Sequence, residues 1–115
     1  MQYRGSCHCG KVKIQFEGTF DKAISCNCSI CAKRGSLLWF APRDSVQVTG
    51  ESELTTYTFN KHVIKHRFCK TCGILPFGEG VDPKGNRTAA INIRCLEDID
   101  LDAVPVKHFD GRSLP

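Results

Sequence analysis

The chain has 115 residues, a formal net charge of +4, 41% apolar residues and 24% charged residues. That length fits one domain spanning 1-115, the composition excludes wholesale disorder, and no apolar run reaches the roughly 18 residues of a membrane span. The charge is mild and no basic run exceeds Lys33-Arg34, so neither a nucleic-acid partner nor a membrane is expected.

The first motif is Cys7-His8-Cys9-Gly10. Lys11 to Glu17 then alternates without a fault, which predicts a strand with Val12, Ile14 and Phe16 facing inward. Cys26, Cys28 and Cys31 follow, and Ser29 to Arg34 reads as a short helical turn. Leu37-Leu38-Trp39-Phe40 is an apolar run that reads either as a buried strand or as a pocket wall. Ser45 to Thr49 alternates, Gly50-Glu51 reads as a turn, and Leu54 to Phe59 has the Thr and aromatic content of a strand. Asn60-Lys61 turns the chain into Val63 to Phe68, where Ile64, His66 and Phe68 share a face. Cys69 and Cys72 come next. The turn cluster Asp82 to Asn86 precedes the last clear strand, Thr88 to Cys95, and Leu96 to Leu101 reads as a second short helical turn. No longer stretch carries a 3.6-residue period. The expected architecture is mainly β: two small packed antiparallel sheets with short helical turns.

Eight cysteines in so short a chain demand a use. The N-terminal segment MQYRGSCHCGKVKIQF lacks the apolar core of a secretory signal, so the expected setting is cytoplasmic and reducing, where clustered cysteines read as metal ligands. Soft thiolates suit zinc, Cu(I) or an iron–sulfur cluster, with tetrahedral zinc the usual tenant. Two pairs, Cys7 with Cys9 and Cys69 with Cys72, close one tetrahedron. The triplet Cys26, Cys28 and Cys31 fills three positions and leaves one open. Other pairings are also compatible with the spacing, because the triplet could lend a sulfur to either pair. Saturated sites are structural, and sites with an exchangeable position are catalytic. Cys95 falls on the apolar face of its strand with Ala89, Ile91 and Ile93, which reads as a small buried hydrophobe rather than a fourth ligand. His8 is expected to point away from its neighbours' metal. His62 and His66 are expected to serve strand or surface, and His8, His62 or His66 is a general-base candidate only if the fold brings it to the open site. His108 carries no firm signal.

Three thiolates leave a zinc poorly charged for making hydroxide, so the open position suits a soft thiol, held there as a nucleophilic thiolate. Lys33 and Arg34 beside it read either as anchors for the carboxylates of an acidic thiol or as a solvated pair. The chemistry expected is addition of a thiol to an electrophilic carbon, or its release.

The segments Gly5 to Val12, Cys26 to Gly35 and Phe68 to Gly73, with Asn92-Ile93-Arg94-Cys95-Leu96, resemble the glutathione-dependent formaldehyde-activating enzyme family, which also includes centromere-protein-V-type proteins. The resemblance implies an Mss4-like, mainly β, zinc-stapled fold. It implies two Zn2+ per chain: a structural ion on Cys7, Cys9, Cys69 and Cys72, and a catalytic ion on Cys26, Cys28 and Cys31. It also implies a carbon–sulfur lyase that joins glutathione, as co-substrate, to formaldehyde as S-hydroxymethylglutathione, so the expected partners are a small-molecule thiol and an aldehyde. A non-catalytic carrier of glutathione or zinc on the same scaffold is the alternative.

Overall fold

The computed structural model describes residues 1–19 and 21–113. Strands β1 (Gln2–Ser6), β2 (Lys13–Glu17) and β5 (Val46–Thr49) form a three-stranded antiparallel sheet in the order β1-β2-β5. The second sheet has seven strands. It holds β3 (Ala23–Cys26), β4 (Leu38–Pro42), β6 (Leu54–Tyr57), β7 (Lys65–Cys69), β8 (Phe77–Val81), β9 (Arg87–Asn92) and β10 (Val106–Phe109), in the order β10-β3-β4-β9-β8-β7-β6. One helix, α1 (Ser29–Arg34), follows β3 directly.

The mainly β, two-sheet expectation holds. It departs in one place: β10 runs parallel to β3, so the edge of the larger sheet is not antiparallel. The parallel edge lets the end of the chain return alongside Cys26, because Phe109 pairs with Cys26 in register.

Alternation places the core. Ile14 and Phe16 of β2, Ala41 of β4, Val46 of β5, Phe77 of β8 and Ala89 and Ile91 of β9 are buried together between the sheets. Phe16 stacks on Trp39 of β4, with ring centroids 5.5 Å apart, and on Tyr3 of β1 at 5.4 Å. Such stacks favour one register between layers. Along β4, Leu37, Trp39 and Ala41 serve this core, while Leu38 and Phe40 face the opposite side and line a cavity. Both readings of the Leu37–Phe40 run are therefore correct, one for each face.

Three expectations fail for identifiable reasons. The last strand stops at Asn92 rather than Cys95: the Asn92 side chain accepts from the Arg94 N–H and turns Ile93–Cys95 into a 3-10 turn. Ala89, Ile91 and Ile93 are all buried as expected, but Cys95 has left the strand. Leu96 to Leu101 is not a helical turn. Glu97 donates its N–H to the Arg4 carbonyl at 2.8 Å, Leu96 bridges to Gly5 of β1, and Asp98 adopts φ 55°, so the segment bends away from β1 before a 3-10 turn at Leu101–Ala103. Strand β6 also ends early, because Phe59 leaves it to stack on His66, with centroids 5.5 Å apart, and Asn60 and His62 both adopt φ 57°.

Glu79 of β8 ties the larger sheet together. Its carboxylate accepts from Arg67 Nη1 of β7 at 2.8 Å, from Arg43 Nε at 3.0 Å and from Arg87 Nη2 of β9 at 3.2 Å. Burial alone would raise its pKa, but Arg43 and then Arg67 hold the carboxyl below the usual carboxylate range. A carboxyl lowered in the folded state contributes stability that is complete above the unfolded value and is lost as pH falls through the lowered one. Glu79→Gln is expected to cost about 2–3 kcal/mol at pH 7, in matched denaturant titrations. The gap to the parent protein should close as the pH drops below the usual carboxylate range.

Candidate metal centres and the cavity beside them

The first centre is built by two turns. Cys7 follows β1, and Val12 N–H donates to the Cys7 sulfur at 3.4 Å while Cys7 N–H donates to the Val12 carbonyl at 3.0 Å. Cys69 ends β7, and its carbonyl accepts from Gly73 N–H at 2.8 Å. Both turns close with a glycine in the left-handed region, Gly10 at φ 81° and Gly73 at φ 80°, just after the second cysteine of each pair. That conformation bends each loop back and brings both of its sulfurs to one side.

The four sulfurs of Cys7, Cys9, Cys69 and Cys72 lie within 4.8 Å of one another, with Cys9 Sγ 3.6 Å from both Cys7 Sγ and Cys69 Sγ. A tetrahedron of sulfurs at about 2.3 Å from a zinc has edges of about 3.8 Å, so the donor set fits that ion. The thiols already titrate unlike isolated ones. Burial opposes ionisation at Cys72, yet the N–H groups of Ile74 and Cys9 draw it down to about 6. At Cys9 the Lys11 N–H is outweighed by desolvation and the surrounding thiols, which raise it to about 11. The N–H group of Cys72 draws the Cys69 thiol down as well, so negative charge is favoured at Cys69 and Cys72 and resisted at Cys9, a conflict that a bound cation would remove. Cys95 stands beside this cluster but outside it, and burial pushes its thiol up to about 11. It is half-buried, its Sγ lies 3.7 Å from the Leu75 carbonyl, and it does not join Cys26, Cys28 and Cys31.

The second centre comes from consecutive local structure. Cys26 ends β3, Cys28 caps α1, and Cys31 sits in its first turn, with all three sulfurs within 4.8 Å of one another. No histidine or carboxylate joins them among the described residues. Burial, reinforced by the Cys28 thiol, pushes the Cys31 thiol up to about 12. Burial acts against Cys28 as well, but the N–H groups of Cys31 and then Ile30 hold it below its ordinary value.

The end of the chain closes over this triplet. Asn27 N–H donates to the Phe109 carbonyl at 3.2 Å, Asn27 Nδ2 donates to Asp110 Oδ1 at 3.0 Å, and Arg112 N–H donates to Asn27 Oδ1 at 2.9 Å. These bonds bring Gly111 so near that a Cβ there would meet Cys26 Sγ at 2.6 Å and Cys28 Cβ at 3.2 Å. Nothing in the spacing of the cysteines signals Gly111 or Asn27, since the contacts join positions 83 and 85 residues apart.

Beside the triplet lies a cavity of about 500 Å³, which includes Cys26, Cys28 and Cys31 in its wall. Arg34 reaches it from the end of α1. Its guanidinium donates through Nε to Ser36 Oγ at 2.9 Å, through Nη1 to His66 Nδ1 at 3.2 Å, and through Nη2 to Cys31 Sγ at 3.7 Å. Arg34 therefore connects the triplet to His66, a residue that belongs to strand β7 as expected but is buried at the cavity wall rather than exposed. Burial and then the Arg34 charge hold His66 below its ordinary value, so its ring is neutral at pH 7. Lys33 is exposed and outside the cavity wall. His8 is exposed; His62 is exposed and paired with Thr58 Oγ1 at 2.7 Å; His108 is exposed on β10.

The sequence profile of the glutathione-dependent formaldehyde-activating enzyme family matches residues 2–109. The chain belongs to that family. Within it, proteins from Talaromyces marneffei and Penicillium rubens, each named "Putative glutathione-dependent formaldehyde-activating enzyme", are 31% and 30% identical over 78 residues. Those matches cover 63% of this chain but only 42% and 41% of the two fungal proteins, so the chain spans less than half the length of these relatives. A crystal structure of a Rhodobacter sphaeroides protein superposes with a TM-score of 0.77 at 33% identity, covering 90% of this chain and 99% of that one. All seven cysteines of the two centres fall inside the segment matched to the formaldehyde-activating family, while Gly111 lies beyond it.

The two centres are expected to respond differently to damage. Full chelation, or Cys72→Ala, should unfold the chain, seen as loss of the far-UV signal and of a cooperative melt. Closing a loop of 60 residues costs roughly 3–4 kcal/mol in chain entropy, and a clip across it removes that cost from folding. Gly111→Val should instead leave the fold and the four-sulfur centre intact and strip metal from the triplet, measured by elemental analysis and Co(II) absorption.

Proposed function

We propose that the chain is a zinc-dependent enzyme of carbon–sulfur chemistry. It joins a thiol, glutathione, to a small aldehyde, as in the formation of S-hydroxymethylglutathione from formaldehyde. The observation that carries this reading is the incomplete triplet: three sulfurs within 4.8 Å of one another and a cavity at their side. The names of the fungal relatives supply the glutathione and the formaldehyde.

Cys7, Cys9, Cys69 and Cys72 would hold one zinc, and Cys26, Cys28 and Cys31 a second. Zinc on the triplet would supply a soft Lewis acid that keeps an added thiol ionised at neutral pH. The remaining work belongs to the chain. Gly111 and the Asn27 hydrogen bonds fix the spacing of Cys26 and Cys28. Arg34 places its positive charge 3.7 Å from Cys31 Sγ, against the excess negative charge of the thiolates. The cavity wall keeps water from the carbonyl carbon and holds that carbon beside the thiol, which converts a two-body encounter into a positioned one. In the addition one S–C bond forms, the C=O π pair moves to oxygen, and the proton released by the thiol is balanced by one taken up at that oxygen. Lys33, exposed near the triplet, meets a glutathione carboxylate outside the cavity.

Elemental analysis of freshly purified protein should find two zinc ions per chain. With Co(II) in place of zinc, millimolar glutathione should change the visible absorption, and Cys28→Ser should abolish that change and the activity while keeping the melt. A matched no-protein control decides between catalysis and carriage: glutathione binding with no gain over the uncatalysed rate would make the chain a carrier.

A further inference from the structure

The cavity is far larger than formaldehyde, and its wall is the wrong material for glutathione. Its charged groups are Arg34 and Glu79, and both are already committed. Arg34 donates to Ser36, His66 and Cys31, and Glu79 accepts from three arginines. Most of the remaining wall is apolar, including Ile30, Leu38, Phe40, Phe59, Ile64 and Phe109. Phe40, Ile64 and Phe109 keep 53%, 55% and 46% of their surface exposed, which is costly apolar surface to leave in water unless something covers it.

The floor of the cavity has been kept empty by small residues. Gly78, Gly80 and Ala90 lie on the sheet face, with Gly78 opposite Ala90 and Gly80 opposite Thr88 in register. Neither glycine is required by the backbone. A Cβ at Gly78 would come no nearer than 3.5 Å to any atom, and one at Gly80 no nearer than 3.6 Å, both ordinary contacts. The missing side chains leave space rather than relieve strain.

One polar atom is left over. His66 pairs with Gly78 in register, so its ring stands beside this floor. It is 7% exposed, and Arg34 Nη1 can only donate to its Nδ1. A neutral ring with Nδ1 accepting carries its proton on Nε2. That Nε2 is buried and has no hydrogen-bond partner, which is costly for a donor in a folded protein.

We infer that the cavity binds a carbonyl compound with an apolar body, aryl or branched alkyl, whose oxygen accepts a hydrogen bond from His66 Nε2. The inference deepens the proposed function, resting on it for the thiol and naming the class of its electrophile. The apolar body lies over Gly78 and Gly80 between Phe40 and Ile64, with the carbonyl carbon turned to the triplet. His66 donates a hydrogen bond and keeps its proton. As the S–C bond forms, charge grows on the carbonyl oxygen, and the same hydrogen bond strengthens.

The test uses the zinc-loaded chain and two probes that add no thiol at an appreciable rate: acetophenone, and ethylbenzene as its counterpart without oxygen. Acetophenone should bind saturably and shift the His66 Nε2–H resonance in 15N-edited NMR spectra. Gly78→Val, which fills the floor, should lower its affinity by about tenfold or more. His66→Phe should reduce the preference for acetophenone over ethylbenzene by about fivefold to tenfold. In kinetics with glutathione, phenylacetaldehyde should exceed formaldehyde in kcat/KM by roughly tenfold or more. Saturable acetophenone binding without turnover of any aldehyde would support the cavity inference and overturn the proposed function. Acceleration of formaldehyde with no acetophenone binding, or with a Gly78→Val protein that binds it unchanged, would overturn the inference and leave the function standing. Ligand-independent dimerisation that covers Phe40 and Ile64 and excludes both probes would also overturn it.

Discussion

The constraint on which the rest depends is the crowding of sulfur at Cys7, Cys9, Cys69 and Cys72. Two turns that are 60 residues apart in the chain deliver their thiols to one small volume. Neutral thiols gain little from such proximity, and ionised ones repel each other. Only a shared cation turns the arrangement from a cost into a clamp. Such a clamp would join the end of β1 to the end of β7, and so tie the three-stranded sheet to the larger one. Every later feature relies on that alignment, because the cavity floor is the outer face of the larger sheet and its core face packs on Phe16 of the smaller.

The two centres divide the labour of the fold by their origin in the chain. The four-sulfur centre is assembled from distant segments and therefore reports on global folding. The triplet is nearly local, spanning the end of β3 and the first turn of α1. What makes it specific is the late strand β10. Its parallel pairing with β3 and the Asn27 bonds carry Gly111 against Cys26. A local motif is thereby held to one geometry by a remote glycine, which is how a short, flexible ligand loop acquires a fixed bite.

The sequence made the two cysteine clusters legible and left their surroundings hidden. Cysteine spacing is a local signal, and the grouping into four and three needs only the chemistry of a tetrahedron. Strands β2, β5, β7 and β9 were readable because one face of each is wet and the other dry. Strands β3, β8 and β10 were not. Ala23–Cys26 is short and ends on a cysteine of the triplet, Phe77–Val81 holds two glycines that ordinarily weaken a strand, and Val106–Phe109 is exposed throughout. The glycines of β8 are informative only once the sheet is assembled and the hollow above them is seen. Cys95 was read correctly as no ligand of the triplet, but its strand ended three residues sooner, because the Asn92 side chain could reach the Arg94 N–H. That choice depends on the burial of Asn92, which also donates to the Leu75 carbonyl and is fixed only by the tertiary structure.

His66 shows why a residue type alone does not disclose a site. Its alternation with Ile64 and Phe68 places it in a strand, and the sequence makes it a general-base candidate on equal terms with His62. Three neighbours from elsewhere change its meaning. Arg34, at the end of the ligand helix, fixes the tautomer; Phe59, leaving β6 early, stacks on the ring; Gly78, across the ladder, leaves the space beside it. Arg34 acts on both partners at once, since the guanidinium that orients His66 also lies against Cys31. Electrostatic control of the sulfur and orientation of the imidazole therefore rest on one side chain. Replacing it would disturb charge and hydrogen bonding together, whereas changes at Gly78 or His66 separate shape from polarity. In the proposed reaction the sulfurs would determine what kind of nucleophile the site holds, and the sheet face beside them which carbon it reaches.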